Sequence, residues 1–259
     1  MSEELKGKTA LVTGGSGGIG LAVSNSLARE GAYVLIFGRD EIKGRNALAG
    51  IKNSGGDGAF YSVDLLDSGS VETAFQEILK NGLIIDILVN NAGISGFMGP
   101  VINTPADEFS NILRVNLEAP FQISQLILPG MISNGYGRII NISSVAARVN
   151  PPNSVTYNIS KAGLNSFTKS LSRETASEGI TVNALAPGLV LTERIKTKRL
   201  PGLSQVTGKT PDELLAGMRA KTDTRKLTTE EELAQTVLFL CSQGAGNISG
   251  EIIEMSGGY

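Results

Sequence analysis

Thr9-Ala10-Leu11-Val12-Thr13-Gly14-Gly15-Ser16-Gly17-Gly18-Ile19-Gly20 decides how the rest of the chain is read. Thr9 to Val12 is a short apolar strand, and it runs directly into a glycine-rich turn that opens a helix reaching about Glu30. Glycines let the main chain approach a pyrophosphate closely, while the helix N-terminus offers unpaired N–H groups and a positive dipole end. Gly15, Gly17 and Gly20 satisfy G-x-G-x-x-G, although 32 glycines make that match cheap by itself. Its position between a strand and a helix favours nucleotide binding over a tight turn without a ligand.

Outward from this turn the pattern alternates. Strands are expected at Tyr33 to Phe37, Ala59 to Val63, Asp86 to Val89, Arg138 to Ile142, Ile180 to Leu185 and Glu251 to Glu254. Helices are expected from about Asp40 to Asn53, Ser68 to Lys80, Val155 to Leu171 and Glu230 to Cys241. A longer helical stretch, Pro105 to Ser133, reads as two helices or one bent near Asn116, and a polar insertion precedes Glu230. Strands of continuous Val/Ile/Leu character between helices indicate a parallel sheet covered on both faces. The reading is α/β: one doubly wound domain over residues 1–259, with seven mostly parallel strands.

Composition removes whole classes of chemistry. The 259 residues include no histidine, which excludes Ser-His-Asp and Cys-His catalysis and His-ligated metals. Cys241 is the only cysteine, so no intrachain disulfide or multi-cysteine metal site can form, and no metal is expected. It lies in an apolar run and reads as a buried small hydrophobe. A net charge of −2 gives nucleic-acid binding no electrostatic support. No apolar run approaches the roughly 18 residues that span a bilayer. Met1 to Lys8 is polar and charged, unlike a signal peptide, so a cytoplasmic protein is expected.

Acid–base chemistry must then come from Tyr, Lys, Asp, Glu or Ser. Tyr157 and Lys161 are four apart on a helical stretch whose one weak point is Gly163, so phenol and ammonium share a face. A free tyrosine ionises near pH 10, and a fixed cation within about 4–6 Å lowers that value. The spacing alone is common on surface helices and identifies nothing.

Its company does. Thr13-Gly14, Gly18 and Gly20 fit T-G-x-x-x-G-x-G; Asn90-Asn91-Ala92-Gly93 follows the fourth strand, and Asn116 lies in the next helix. Ser143-Ser144 ends the fifth strand, Tyr157-x-x-x-Lys161 follows, and Pro187-Gly188 comes after the sixth. This ordered set, from about Lys6 to Gly258, resembles the short-chain dehydrogenase/reductase family, particularly its 3-oxoacyl-[acyl-carrier-protein] reductase-like members.

The resemblance implies a Rossmann fold and hydride transfer between a nicotinamide and a carbonyl or secondary alcohol. Tyr157 would be the general acid/base, Lys161 would lower its pKa and hold the ribose, and Ser144 would bond the substrate oxygen. Asn116 would kink its helix and hold a water in a relay to Lys161. Cofactor contacts implied are Gly14, Ser16, Gly17, Gly18, Ile19, Gly20, Asp64, Leu65, Asn91, Gly93, Pro187, Gly188, Val190 and Thr192, besides Tyr157 and Lys161. By alignment with the family, the acidic residue that would bond a ribose 2′-OH falls on Gly38, and Arg39 follows, which favours NADP(H) over NAD(H). Asp40 opposes this if a one-residue shift brings its carboxylate to the ribose; otherwise it caps the next helix.

Residues 189 to 226 resemble the family's substrate lid. It carries Arg194, Lys196, Lys198, Arg199, Lys209, Arg219, Lys221, Arg225 and Lys226 against Glu193, Asp212, Glu213 and Asp223. These cations could receive a coenzyme A thioester or an acidic carrier protein, but a solvated loop with charged helix faces is the simpler reading. Ser256-Gly257-Gly258 departs from the family's closing Asp-Gly-Gly. The expected activity is reduction of a 3-oxoacyl thioester or similar 3-oxo compound by a homotetramer. The alternatives are an NAD(P)-dependent dehydrogenase of a secondary alcohol, sugar or polyol and, remotely, a nucleotide sensor without chemistry.

Overall fold

Seven parallel strands form one sheet in the order β3-β2-β1-β4-β5-β6-β7. They are β1 Thr9–Thr13, β2 Tyr33–Gly38, β3 Asp57–Ser62, β4 Ile87–Asn90, β5 Gly137–Ile142, β6 Ile180–Pro187 and β7 Ile252–Met255. The structure, a computed structural model, describes residues 4–193 and 195–258; Arg194 and the side chains of Lys198, Arg199 and Val206 lie outside the described residues.

Helices α1 (Gly18–Arg29), α2 (Glu41–Asn53) and α10 (Glu230–Cys241) cover one face, packing Val23, Leu27, Ile51 and Val237 against Ala10, Val12, Val34 and Ile36. Helices α3 (Ser68–Lys80), α5 (Ala119–Asn134) and α7 (Val155–Thr175) cover the other, where Phe75, Ile127 and Leu171 meet Leu11, Leu35, Phe37 and Leu88. Successive strand residues point to opposite faces, and both faces are packed, so each central strand is apolar throughout.

Several boundaries differ from the expected ones. β3 starts at Asp57 and ends before Val63, because pairing with β2 sets its ends: Asp57 lies opposite Tyr33 and Ser62 opposite Gly38. β4 extends to Asn90, paired with Asn141, and β7 reaches Met255, opposite Pro187. The long stretch before β5 is α4 (Glu108–Leu113) and α5 joined by a π turn, Arg114–Glu118, centred on Asn116. The short helix α6 (Ala146–Val149) follows β5.

The polar insertion is helical: a π turn at Ile195–Arg199, then α8 (Leu200–Thr207) and α9 (Pro211–Arg219). Thr210 accepts from the Glu213 backbone while Glu213 reaches back to Thr210, a capping box that starts α9; Thr229 and Glu232 repeat it at α10. Gly163 is less a weak point than a contact. A Cβ there would stand 2.8 Å from Leu117 Cδ2, so its absence lets α7 lie against the π turn.

Candidate active site

At the carboxyl end of β1, Thr13 ties two loops together. Its Oγ1 accepts the backbone N–H groups of Asn91 and Ala92, each at 3.0 Å. Asn91 returns its side-chain amide to the carbonyls of Thr13 at 2.9 Å and Gly14 at 3.3 Å. Gly14 has φ +65° and Gly18 φ +56°, in the left-handed region that favours glycine. A Cβ on Gly20 would lie 2.3 Å from the Gly14 carbonyl oxygen and 2.5 Å from Asn91 Nδ2. The first turn of α1 therefore packs directly on the strand end, and its unpaired N–H groups open onto a cleft.

That cleft, about 1460 Å³, runs along the carboxyl ends of the strands, where ligands bind in open α/β sheets. Gly14, Ser16, Gly17, Gly18 and Ile19 line it from the first turn, Arg39 after β2, and Asp64 and Leu65 after β3. Asn91 and Gly93 follow β4, Ser144 follows β5, and Tyr157 and Lys161 come from α7. Pro187, Gly188, Val190 and Thr192 close it after β6. Gly20 and Asn116 are not on the lining; both are buried one layer behind it. The size, the glycine-rich helix end and the absence of crowding side chains there fit a dinucleotide.

Asp40 takes the helix-capping role at the end of β2. Its carboxylate accepts the Lys43 backbone N–H at 3.0 Å and caps α2, and that bond holds its pKa below the ordinary value. Its second oxygen lies 3.6 Å from Lys43 Nζ. Gly38 packs closely on the first turn: a Cβ there would stand 3.1 Å from Ser16 Oγ and 3.6 Å from the Phe60 ring. Arg39 reaches Asp64 at 4.0 Å, both partly exposed.

Lys161 is buried, and its Nζ donates to the Ile142 carbonyl at 2.8 Å and stands 5.9 Å from the centre of the Tyr157 ring. Burial pulls its pKa down to about 8. Ser143 and Ser144 part company here. Ser143 is buried and directs its hydroxyl to the Lys161 carbonyl at 3.4 Å, while Ser144 is half-buried and accepts the Ala146 N–H at 3.1 Å.

Asn116 is fully buried. Its Oδ1 accepts the Ile94 N–H at 2.9 Å, and its Nδ2 donates to the Ile94 carbonyl at 2.9 Å and to Ser160 Oγ at 3.0 Å. Both amide hydrogens are thereby used. Ser160 passes its own hydrogen to the Tyr157 carbonyl at 2.7 Å. Gly93 separates Asn116 from Lys161: a Cβ there would lie 3.3 Å from Asn116 Oδ1 and 3.5 Å from Lys161 Nζ.

Comparison with known proteins meets this arrangement. A family model described as short chain dehydrogenase matches residues 8–201. The chain belongs to the short-chain dehydrogenase family. It is 35% identical over 254 residues to 3-oxoacyl-[acyl-carrier-protein] reductase FabG of Haemophilus influenzae, covering 98% of each chain. It superposes on a solved structure of NAD+-bound xylitol dehydrogenase with TM-score 0.91 and 27% identity, covering 98% of this chain and 100% of that one. A third similar structure, from Beutenbergia cavernae, holds NADP at low occupancy and is proposed to be an NAD(P)-dependent gluconate 5-dehydrogenase. Its TM-score is 0.88 at 30% identity, over 99% and 98% of the two chains. As a short-chain dehydrogenase with such relatives, the protein is an oxidoreductase acting on CH–OH/C=O groups.

The short-chain dehydrogenase cleft also holds residues that the motifs did not single out. Lys43, Met98, Val149, Pro151 and Met218 also line it. Lys43 could have been found in the sequence, since it lies one helical turn beyond Asp40; the apolar wall is drawn from separate loops and the helices α6 and α9 and has no local signature. Glu230 approaches the first turn, 3.6 Å from where a Gly18 Cβ would stand, and burial raises its carboxyl pKa. Of the lid cations with described side chains, only Lys221 lines the cleft. Lys196 pairs with Glu193 at 3.6 Å, and Arg225 bonds the Ala220 carbonyl. No described helix is long and apolar enough to cross a membrane.

Proposed function

We propose that the protein is an NADP(H)-dependent reductase of a 3-oxoacyl thioester or a similar 3-oxo compound. The observation that carries this reading is the convergence of Ser144, Tyr157 and Lys161 on the cleft that begins at the glycine-rich turn. A bound dinucleotide supplies hydride to the carbonyl carbon. Ser144 holds the carbonyl oxygen, and Tyr157 transfers its phenolic proton to that oxygen as charge develops. Lys161, in the same cleft, favours the phenolate left behind and would hold the nicotinamide ribose; a proton from solvent then restores the phenol. Asn116 fixes Ile94 and, through Ser160, the main chain at Tyr157; a water beside it would complete the relay to Lys161. Arg39 takes the 2′-phosphate, with Asp40 withdrawn into its helix cap. The full-length likeness to a 3-oxoacyl-[acyl-carrier-protein] reductase and the apolar wall at Met98 and Val149 support an acyl substrate.

Residues 189–226 form the substrate lid of one dinucleotide-binding and catalytic unit, and we take the working assembly to be a cytoplasmic homotetramer, which light scattering after gel filtration tests. A sugar or polyol dehydrogenase is the second reading, favoured by the likeness to xylitol dehydrogenase. NADPH oxidation with acetoacetyl-coenzyme A, against NADH as matched control, separates the two. Turnover preferring NADPH supports the reductase, whereas no turnover with either cofactor, together with NAD+ reduction on xylitol or gluconate, overturns it. Tyr157→Phe should lower turnover by about 10²–10⁴-fold yet leave dinucleotide binding measurable. Full activity in that variant would end the role given to Tyr157.

A further inference from the structure

Glu230, the first residue of α10, brings a carboxyl group to the glycine-rich turn. A Cβ on Gly18 would stand 3.6 Å from Glu230 Oε1 and 3.9 Å from Thr192 Cγ2, so the starts of α1 and α10 and the loop after β6 meet around one point. Gly18 and Thr192 both line the cleft. Glu230 Oε1 is buried and has no hydrogen-bond partner among the described residues. Little around it supplies a counter-charge. The only charged residue of α1 is Arg29, at its far end. On the lid, Lys196 Nζ is paired with Glu193 at 3.6 Å. On α10 itself, Glu231 accepts from Gln235 and Glu232 accepts the Thr229 N–H. Burial raises the Glu230 carboxyl pKa, the Lys196 charge draws it back, and the Glu193 charge adds to the rise.

We propose that Glu230 sets the affinity for the cofactor: its carboxylate opposes the pyrophosphate of a dinucleotide bound at the first turn of α1 and makes that binding proton-linked. The unpaired N–H groups of the turn attract an anion, and that anion arrives beside a carboxylate oxygen with no partner of its own. Like charges closer than the Debye length of about 8–10 Å are little screened when partly buried, and their repulsion weakens binding by about three- to tenfold. A neighbouring anion favours the protonated carboxyl. Glu230 therefore takes up a proton as the cofactor binds, and affinity strengthens as pH falls. The repulsion acts on the pyrophosphate that NADPH and NADH share, so it does not choose between them. The inference rests on the reading that a nicotinamide dinucleotide occupies this turn.

The test is fluorescence titration without substrate, from pH 5.5 to 8, of the wild type, Glu230→Gln and Glu231→Gln with whichever of NADPH and NADH the wild type binds more tightly. The ratio of wild-type to variant dissociation constants cancels the titration of the cofactor itself. Glu230→Gln should bind about three- to tenfold more tightly at pH 8. That gain should shrink as the pH falls to 5.5, and also at pH 8 in about 1 M salt. Glu231→Gln removes the same charge from the exposed neighbour and should bind as the wild type does. Losing a first-turn acid also loosens α10 slightly, but loosening would weaken binding at every pH. No gain in Glu230→Gln, a gain unchanged at pH 5.5, or an equal gain in Glu231→Gln overturns the role of Glu230. A wild type that binds neither cofactor overturns the dinucleotide reading itself.

Discussion

Lys161 on α7 donates its ammonium to the carbonyl of Ile142, the last residue of β5, across 2.8 Å. The bond fixes the cation at the strand end, but one carbonyl does not repay the loss of water, and the pKa falls from 10.5 to about 8. Between these values the unfolded chain keeps this proton while the folded chain has released it, so stability rises with pH across that window. Below pH 8 the cost of the buried charge is felt in full. Urea unfolding from pH 7.5 to 9.5 should show stability increasing by up to roughly 2 kcal/mol from this group. Lys161→Met should lack the increase, and parallel pH profiles for the two proteins would refute the assignment.

Gly20→Ala should be damaging for a steric reason alone. The added methyl meets the Gly14 carbonyl at 2.3 Å and Asn91 Nδ2 at 2.5 Å, and the first of these is main chain that cannot swing away. Overpacking of this kind costs about 1–3 kcal/mol. Here the strain falls on the turn that would receive the pyrophosphate, so thermal unfolding should report the loss and NADPH titration should report weakened binding.

Asn116→Ala removes three hydrogen bonds and leaves the Ile94 N–H and carbonyl without that partner. Each buried group so stranded costs about 1–3 kcal/mol. Chemical denaturation should show a loss of about 2 kcal/mol or more. Turnover should fall at least about tenfold, since displacing a positioned group by 1 Å is enough for larger effects.

Cys241 is buried, and desolvation raises its thiol to about 12. At pH 8 only about one molecule in 10⁴ carries the reactive thiolate. Iodoacetamide should therefore leave the native protein unlabelled over hours and modify one site per chain promptly in guanidinium chloride. Rapid native labelling would mean the helix end opens locally.

The legible parts of the chain were those written in local pattern. Tyr157 and Lys161 could be placed side by side because a helix guarantees it, and the bend near Asn116 showed as an uncertain joint in a long helical run. The segment before α10 was harder. Its charges suggested solvated chain, yet Thr210 and Glu213 formed a capping box that could have announced α9. The start of β3 was misplaced because Asp57 and Gly58 have little strand character; pairing with Tyr33 and Val34 put them in the sheet.

Sequence by itself determined the alternation of apolar strands and helices, the parallel sheet, the glycine-rich turn and the exclusion of histidine chemistry. Each follows from side-chain type and from spacings of a few residues. Only the tertiary structure decided that Lys161 would meet Ile142, that Gly93 would lie between Lys161 and Asn116, and that Lys43 rather than most lid cations would line the cleft. It also decided that Asp40 caps α2 while Arg39 lines the cleft beside Asp64. Those relations join residues from different loops. The strand order β3-β2-β1-β4-β5-β6-β7 brings their ends together, and no local periodicity records such distances.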